Sequence, residues 1–194
     1  MGDFYKNGIV ANLHYLSIRS TEQIEKDLLK FSKERKLELI LPCLYSELEG
    51  DALPNIVNEI SKTKYLNHVI IGLDQANKAQ AKKAWKFFKK LKTPFSILWN
   101  DGPKLKKLDK ELKGIDLAPK QMGKGRNVWY CIGMAIARDE ARSVALHDCD
   151  IKTYDRRLLA KLFYPVENPL FNYEFCKGYY PRIADNKMHG RVAR

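Results

Sequence analysis

The sequence predicts an α/β protein: a doubly wound, mainly parallel sheet with helices on both faces. Two observations carry this. Short apolar runs alternate four times with segments of helical period, the order that builds a parallel sheet through crossover connections. The fourth run, Ser143-Val144-Ala145-Leu146-His147, stops abruptly at Asp148-Cys149-Asp150. Open α/β sheets bind their ligands at the carboxyl ends of strands, and a pair of acids placed there can hold a divalent cation against a diphosphate.

The elements follow in order. Residues 1–19 show no clear period and read as an extension that packs onto the domain. Ser20 and Gln23 have the spacing of a capping box, and Ile24, Leu28 and Phe31 form one stripe, which predicts a helix over 21–35. Leu37-Glu38-Leu39-Ile40-Leu41 is a strand that Pro42 is expected to end. Leu53, Ile56, Val57 and Ile60 recur at i, i+3, i+4 and i+7, with Pro54 fitting a first helical turn. The run 68–73 is a second strand, stopping at Asp74. Ala81, Ala84, Trp85 and Phe88 make the next helical stripe, and 95–99 a third strand. A lysine-rich loop is expected over 100–120. Val128, Cys131, Ile132 and Ala135 give another helix. Asp155 is placed to cap a helix carrying Leu158, Leu159 and Phe163, and after Pro165 the pattern turns irregular and aromatic. Residues 1–35 therefore divide off as an extension and helix, and 36–194 as the α/β domain.

The chain has 194 residues, 45% of them hydrophobic, enough for one folded domain with a substantial core. Its charge of +12 is local. Residues 78–113 hold twelve lysines, no arginine, and three acids, Asp101, Asp109 and Glu111. Such a face is either solvated helix surface or a patch for an anionic partner. It lacks the arginine forks and stacked aromatics that favour nucleic acid, and none is expected as a partner. Cys43, Cys131, Cys149 and Cys176 are far apart with no C-x-x-C pair, so reduced thiols are expected instead of a zinc site or disulfide framework. No apolar run is long enough to cross a bilayer and the first residues lack a secretory pattern, which makes the cytoplasm the expected location.

Four constellations could carry chemistry. Asp148 and Asp150 read as a metal and nucleotide site for Mg²⁺ or Mn²⁺, against the alternative of a strand-end turn. Pro42-Cys43-Leu44-Tyr45-Ser46-Glu47 follows the first strand and could grip a base and ribose, with Glu47 accepting from a ribose hydroxyl, or be a plain connecting loop. Asp74 could read a base edge or cap a helix. Gly123-Lys124-Gly125-Arg126 precedes a helix, where glycines and positive charge suit an anion. It departs from a Walker loop, which needs Gly at the place of Ala118 and Ser or Thr at that of Gly125. Near the end, Lys177-Gly178-Tyr179-Tyr180-Pro181-Arg182 and His189-Gly190-Arg191-Val192-Ala193-Arg194 offer basic groups to a small phosphorylated or carboxylated acceptor. His14 and His68 read as structural, and His147 could face the site.

With these residues in order, the chain resembles a glycosyltransferase of the GT-A fold. More narrowly, it is similar from about residue 36 to 194 to the glucosyl-3-phosphoglycerate synthases, glycosyltransferase family 81, relatives of family 2. Pro42-Cys43-Leu44-Tyr45-Ser46-Glu47 resembles the family's P-A-L-x-E-E element, and Asp74 falls on its second-strand aspartate. Gly123-Lys124-Gly125 matches its G-K-G loop, and Asp148-Cys149-Asp150 its D-x-D. Lys177-Gly178-Tyr179-Tyr180 resembles its K-[GA]-[FY]-Y segment, and Gly190-Arg191-Val192 its G-R-V-T acceptor element, with Ala193 in the place of threonine.

The resemblance implies retaining transfer of glucose from UDP- or GDP-glucose to 3-phosphoglycerate, in a protein that could pair as a homodimer. It implies that Asp150 ligates the metal, with Asp148 nearer the ribose. Pro42, Cys43, Leu44, Glu47, Asp74, Gly123 and Lys124 would line the nucleotide-sugar site, and Gly190, Arg191 and Val192 the acceptor site. Family members continue beyond the point matching Arg194 to a histidine that completes the metal site, so a truncated product is expected. The alternatives are a family-2-type transferase with a lipid or polysaccharide acceptor, and a non-catalytic basic binding module.

Overall fold

The computed structural model describes residues 19–171 and 173–178, and the backbone of 182–184 and 187–189. Four strands, β1 (Leu37–Leu44), β2 (His68–Asp74), β3 (Phe95–Trp99) and β4 (Ser143–Leu146), form one all-parallel sheet in the order β3-β2-β1-β4. Around it lie α1 (Thr21–Phe31), α2 (Ala52–Ile60), α3 (Lys78–Phe88), α4 (Pro103–Gly114), α5 (Lys124–Arg138) and α6 (Arg156–Glu167). A short antiparallel pair, β5 (Arg182–Ala184) and β6 (Lys187–His189), follows. The α/β expectation holds, and each expected strand is in place.

The double winding follows from the strand order. The chain steps outward from β1 to β2 and β3, then returns past β1 to β4. Right-handed crossovers in opposite directions fall on opposite faces of a sheet. Alternation along each strand then divides the core in two. Leu39, Leu41, Val69 and Ile71 pack with α1, α2, α3 and α6 through residues such as Leu28, Ile56, Phe88 and Phe163. Ile40 and Ile70, on the other face, pack with Cys131 and Ala135 of α5. The order reverses between β1 and β4, so a crevice opens beyond their carboxyl ends.

Local chemistry sets the helix starts. Ser20 and Gln23 form the expected capping box of α1, and Asn77 with Gln80 forms another at α3. Asp155 caps α6 through the Arg157 amide, as expected.

Three expectations are corrected. Helix α1 ends at Phe31, four residues short of the expected boundary. Pro42 does not end β1, which runs to Leu44 with Pro42 opposite Gly72. The Leu37 carbonyl accepts from Asn67 on the β2 side and the Ile40 carbonyl from His147 on the β4 side. Pro42, two residues beyond Ile40, therefore turns toward β4 where pairing has already ended at Leu146, and its missing N–H costs nothing. The lysine-rich segment 100–120 is not all loop, because α4 occupies most of it, with Pro103 at its start. Pro165 lies inside α6, in its last turns, where the helix continues to Glu167.

Candidate functional site

Beyond Leu146 the chain turns at Cys149-Asp150. Successive side chains point alternately in and out as along a strand. His147 and Cys149 are buried, Asp148 is half-buried and Asp150 is exposed. The spacing of one residue between the acids thus sets both on the open side of the rim. His147 does not face that side. Its Nδ1 lies 2.9 Å from the Tyr154 hydroxyl, and burial lowers its pKa to about 4, so the ring is a neutral internal prop. His68 is structural as expected, 2.9 Å from the Ser96 hydroxyl.

The N-terminus of α5 forms the facing wall. Gly123 precedes it with φ 115°, in the region that favours glycine. Lys124, the first helical residue, forms an ion pair with Asp148 across the crevice. The helix sits unusually close to β2. The Asn127 side-chain amide donates to the Gly72 carbonyl at 2.7 Å, and a Cβ on Gly72 would lie 1.9 Å from Asn127 Oδ1.

The residue before Asn127, Arg126, is buried and 3.0 Å from Asp109 of α4. Asp109 also accepts from Tyr130 at 2.5 Å and pairs with Lys113 at 2.7 Å. The Lys113 bond foremost, then those of Tyr130 and Arg126, hold the Asp109 carboxyl well below the usual range. This tie fixes α4 to α5, and the charge of Asp74 also reaches Arg126.

From the β1 side, the chain enters a 3₁₀ turn at Tyr45–Glu49. Pro42 and Cys43 are buried and Leu44 is exposed. Glu47 Oε2 accepts from the Leu44 amide at 2.7 Å. Burial pushes the Glu47 carboxyl up, and the charges of Asp150 and Asp148 push it further. The three acids therefore share one field. Two thiols lie beneath them. Sγ of Cys43, Sγ of Cys149 and a carboxylate oxygen of Glu47 all fall within 4.8 Å of one another.

Asp74 closes β2 one strand away and is 7% exposed. It does not cap α3, since Asn77 does. Its Oδ1 instead accepts from the Gln75 amide at 3.0 Å. The structure thus brings Glu47, Lys124, Asp148 and Asp150 together at the reversal point, with Pro42, Cys43 and Leu44 in the adjoining strand end and Asp74 on its flank. Gly190, Arg191, Val192 and Ala193 lie outside the described residues, as do Tyr179 and Tyr180. The sequence reading missed two features, the Asp109–Arg126–Tyr130 tie and the meeting of Cys43 with Cys149. Their partners are remote in sequence and no short motif joins them.

A parallel sheet whose order reverses beside an acid pair makes this an α/β protein of Rossmann-like type, consistent with the GT-A fold. Comparison with known proteins narrows this. A protein named glucosyl-3-phosphoglycerate synthase from Persephonella marina is 41% identical over 194 residues, all of this chain and 48% of that protein. One of the same name from Methanococcoides burtonii is 38% identical over 196 residues, covering 99% of this chain and 47% of that protein. No family model matches. The chain spans about half the length of the curated relatives it matches, and over that half it is homologous to proteins called glucosyl-3-phosphoglycerate synthase, as its motifs anticipate. Among the described residues, no helix is long and apolar enough to cross a membrane.

Proposed function

We propose that this chain carries the donor site of a retaining glycosyltransferase that moves glucose from UDP- or GDP-glucose to 3-phosphoglycerate. The observation that supports it best is the convergence of Asp148, Asp150, Glu47 and Lys124 at the reversal point, in a chain whose relatives bear that enzyme's name.

The acid set fits a hard cation. Its donors are carboxylate oxygens, which suit Mg²⁺ or Mn²⁺, and the Glu47 carboxyl, raised first by burial, is raised further by the charges of Asp150 and Asp148, which a cation would relieve. Asp150 is its ligand in this reading, and Asp148 stands toward the ribose. When bound, the cation neutralises charge gathering on the departing nucleoside diphosphate. The chain's own residues do the rest. Lys124 exchanges its bond with Asp148 for the donor's phosphates, helped by the positive end of α5. Glu47 and Asp74 orient the nucleoside, with Pro42, Cys43 and Leu44 forming the floor. Gly190, Arg191 and Val192 take the acceptor. No side chain is assigned as general base; in a front-face retaining transfer the departing phosphate oxygen takes the acceptor's proton.

Calorimetry with UDP-glucose and GDP-glucose tests the donor site. The expected result is Mn²⁺-dependent binding of one of them that Asp150→Ala removes. Metal-independent binding unaffected by that change would overturn the reading. Transfer of labelled glucose to 3-phosphoglycerate, measured on the natural gene product, tests the acceptor.

A further inference from the structure

We propose that Cys43, Cys149 and Glu47 form a binding site for a thiophilic divalent cation, Zn²⁺ foremost, beneath the outward-facing carboxylates. The proposal goes beyond the glycosyltransferase reading and does not depend on it.

Three separate segments deliver the donors. Cys43 is in β1, its backbone fixed by pairing with Leu73. Glu47 is held by the Leu44 amide inside the 3₁₀ turn. Cys149 is the inward residue between the two outward acids. Their ligand atoms already lie within 4.8 Å of one another. Around a tetrahedral zinc, with bonds of about 2.0–2.3 Å, neighbouring ligands stand roughly 3.5 Å apart. Small side-chain rotations therefore suffice, and the backbone keeps its place.

The chemistry separates this site from the rim. Thiolates select zinc and its soft neighbours, whereas carboxylates select magnesium and manganese. As each metal–sulfur bond forms, the thiol releases its proton to solvent. Three protein donors leave a fourth position for water. His147 does not fill it, because its ring is not among the ligand atoms that gather within 4.8 Å of one another there. A cation here stands next to Asp150 and repels a second one from it, so occupancy by Zn²⁺ weakens Mn²⁺ binding at the rim.

Cobalt serves as the probe, since Co²⁺ bound to thiolates absorbs strongly in the near ultraviolet. Titration of the reduced chain is expected to give one Co²⁺ per molecule with a thiolate band that Zn²⁺ abolishes. Cys43→Ser and Cys149→Ser should each remove the band, and Glu47→Gln should weaken binding about tenfold. Asp150→Ala and the double change Cys131→Ala, Cys176→Ala should keep it, which separates this site from the proposed donor cation. Circular dichroism confirms that each variant is folded, and the wild-type titration decides the matter if one is not. Absence of the band in reduced wild-type protein, or its survival in folded Cys43→Ser and Cys149→Ser, would overturn the proposal. So would a reduced chain that binds no cobalt yet loses two mass units on mild oxidation, the mark of a disulfide couple.

Discussion

The two ends of the parallel sheet keep their acids in different company. At the amino end, Glu38 is buried and bonded to Arg138 Nε at 3.0 Å, and the same guanidinium reaches Glu140 at 3.2 Å. At the carboxyl end, Asp150 stands exposed, Asp148 shares Lys124, and Glu47 is pushed up by its burial and then by both acids. Side chains of one type thus serve two purposes. Where the fold itself supplies the countercharge, an acid joins elements together. Where acids crowd one another at an open rim, as the proposed donor site requires, they are free to take a positive charge from outside.

That contrast can be broken, first at the closed end. Arg138→Ala strands the buried Glu38 and should lower unfolding stability by about 3–5 kcal/mol in urea titrations, with donor binding intact wherever the protein is folded. An equal loss of donor affinity would blur the distinction.

His147 tests the inner side of the rim. Its pKa is held near 4 against an ordinary 6.5. Because the folded value is depressed, its contribution is complete above pH 6.5 and disappears as the pH falls through 4. The full span is about 3 kcal/mol. His147→Gln should flatten that part of the pH–stability profile; an unchanged acid slope would show that the ring is not the buried neutral group described.

At the open rim the effect should be on binding alone. Asp150→Ala should weaken Mn²⁺-dependent nucleotide-sugar binding about a hundredfold, near 2.7 kcal/mol, while leaving the melting temperature where it is. Lys124→Met is the gentlest probe. Losing one exposed cation from the proposed phosphate site should cost about tenfold in donor affinity, an effect that added salt diminishes in the wild type.

The sheet was legible because its strands are apolar runs that end in polar stops, and that logic also exposed Asp148 and Asp150. Pro42 was misread because a proline's cost depends on which neighbour its missing amide would face, and that requires knowing that β4 ends at Leu146. Helix α4 carries Leu105, Leu108 and Leu112 at helical spacing, but lysines crowd the segment and only Leu105 among these is deeply buried. Its anchorage comes from Asp109, whose partners Arg126 and Tyr130 lie on another helix. The ion pair of Lys124 with Asp148 was within reach of motif reasoning. The approach of Cys43 to Cys149 was not, since it follows from the register of β1 beside β4 and the inward turn after β4.

Gly72 sits in mid-sheet, yet it governs the width of the cleft. With only a hydrogen there, α5 can rest on the sheet with Asn127 clasping the main chain, and Lys124 follows within the same helical turn. A methyl group would act as a shim under that helix. Lifting it would spread the span that Lys124 now bridges to Asp148, so the smallest side chain in β2 sets the gauge of an opening it does not touch.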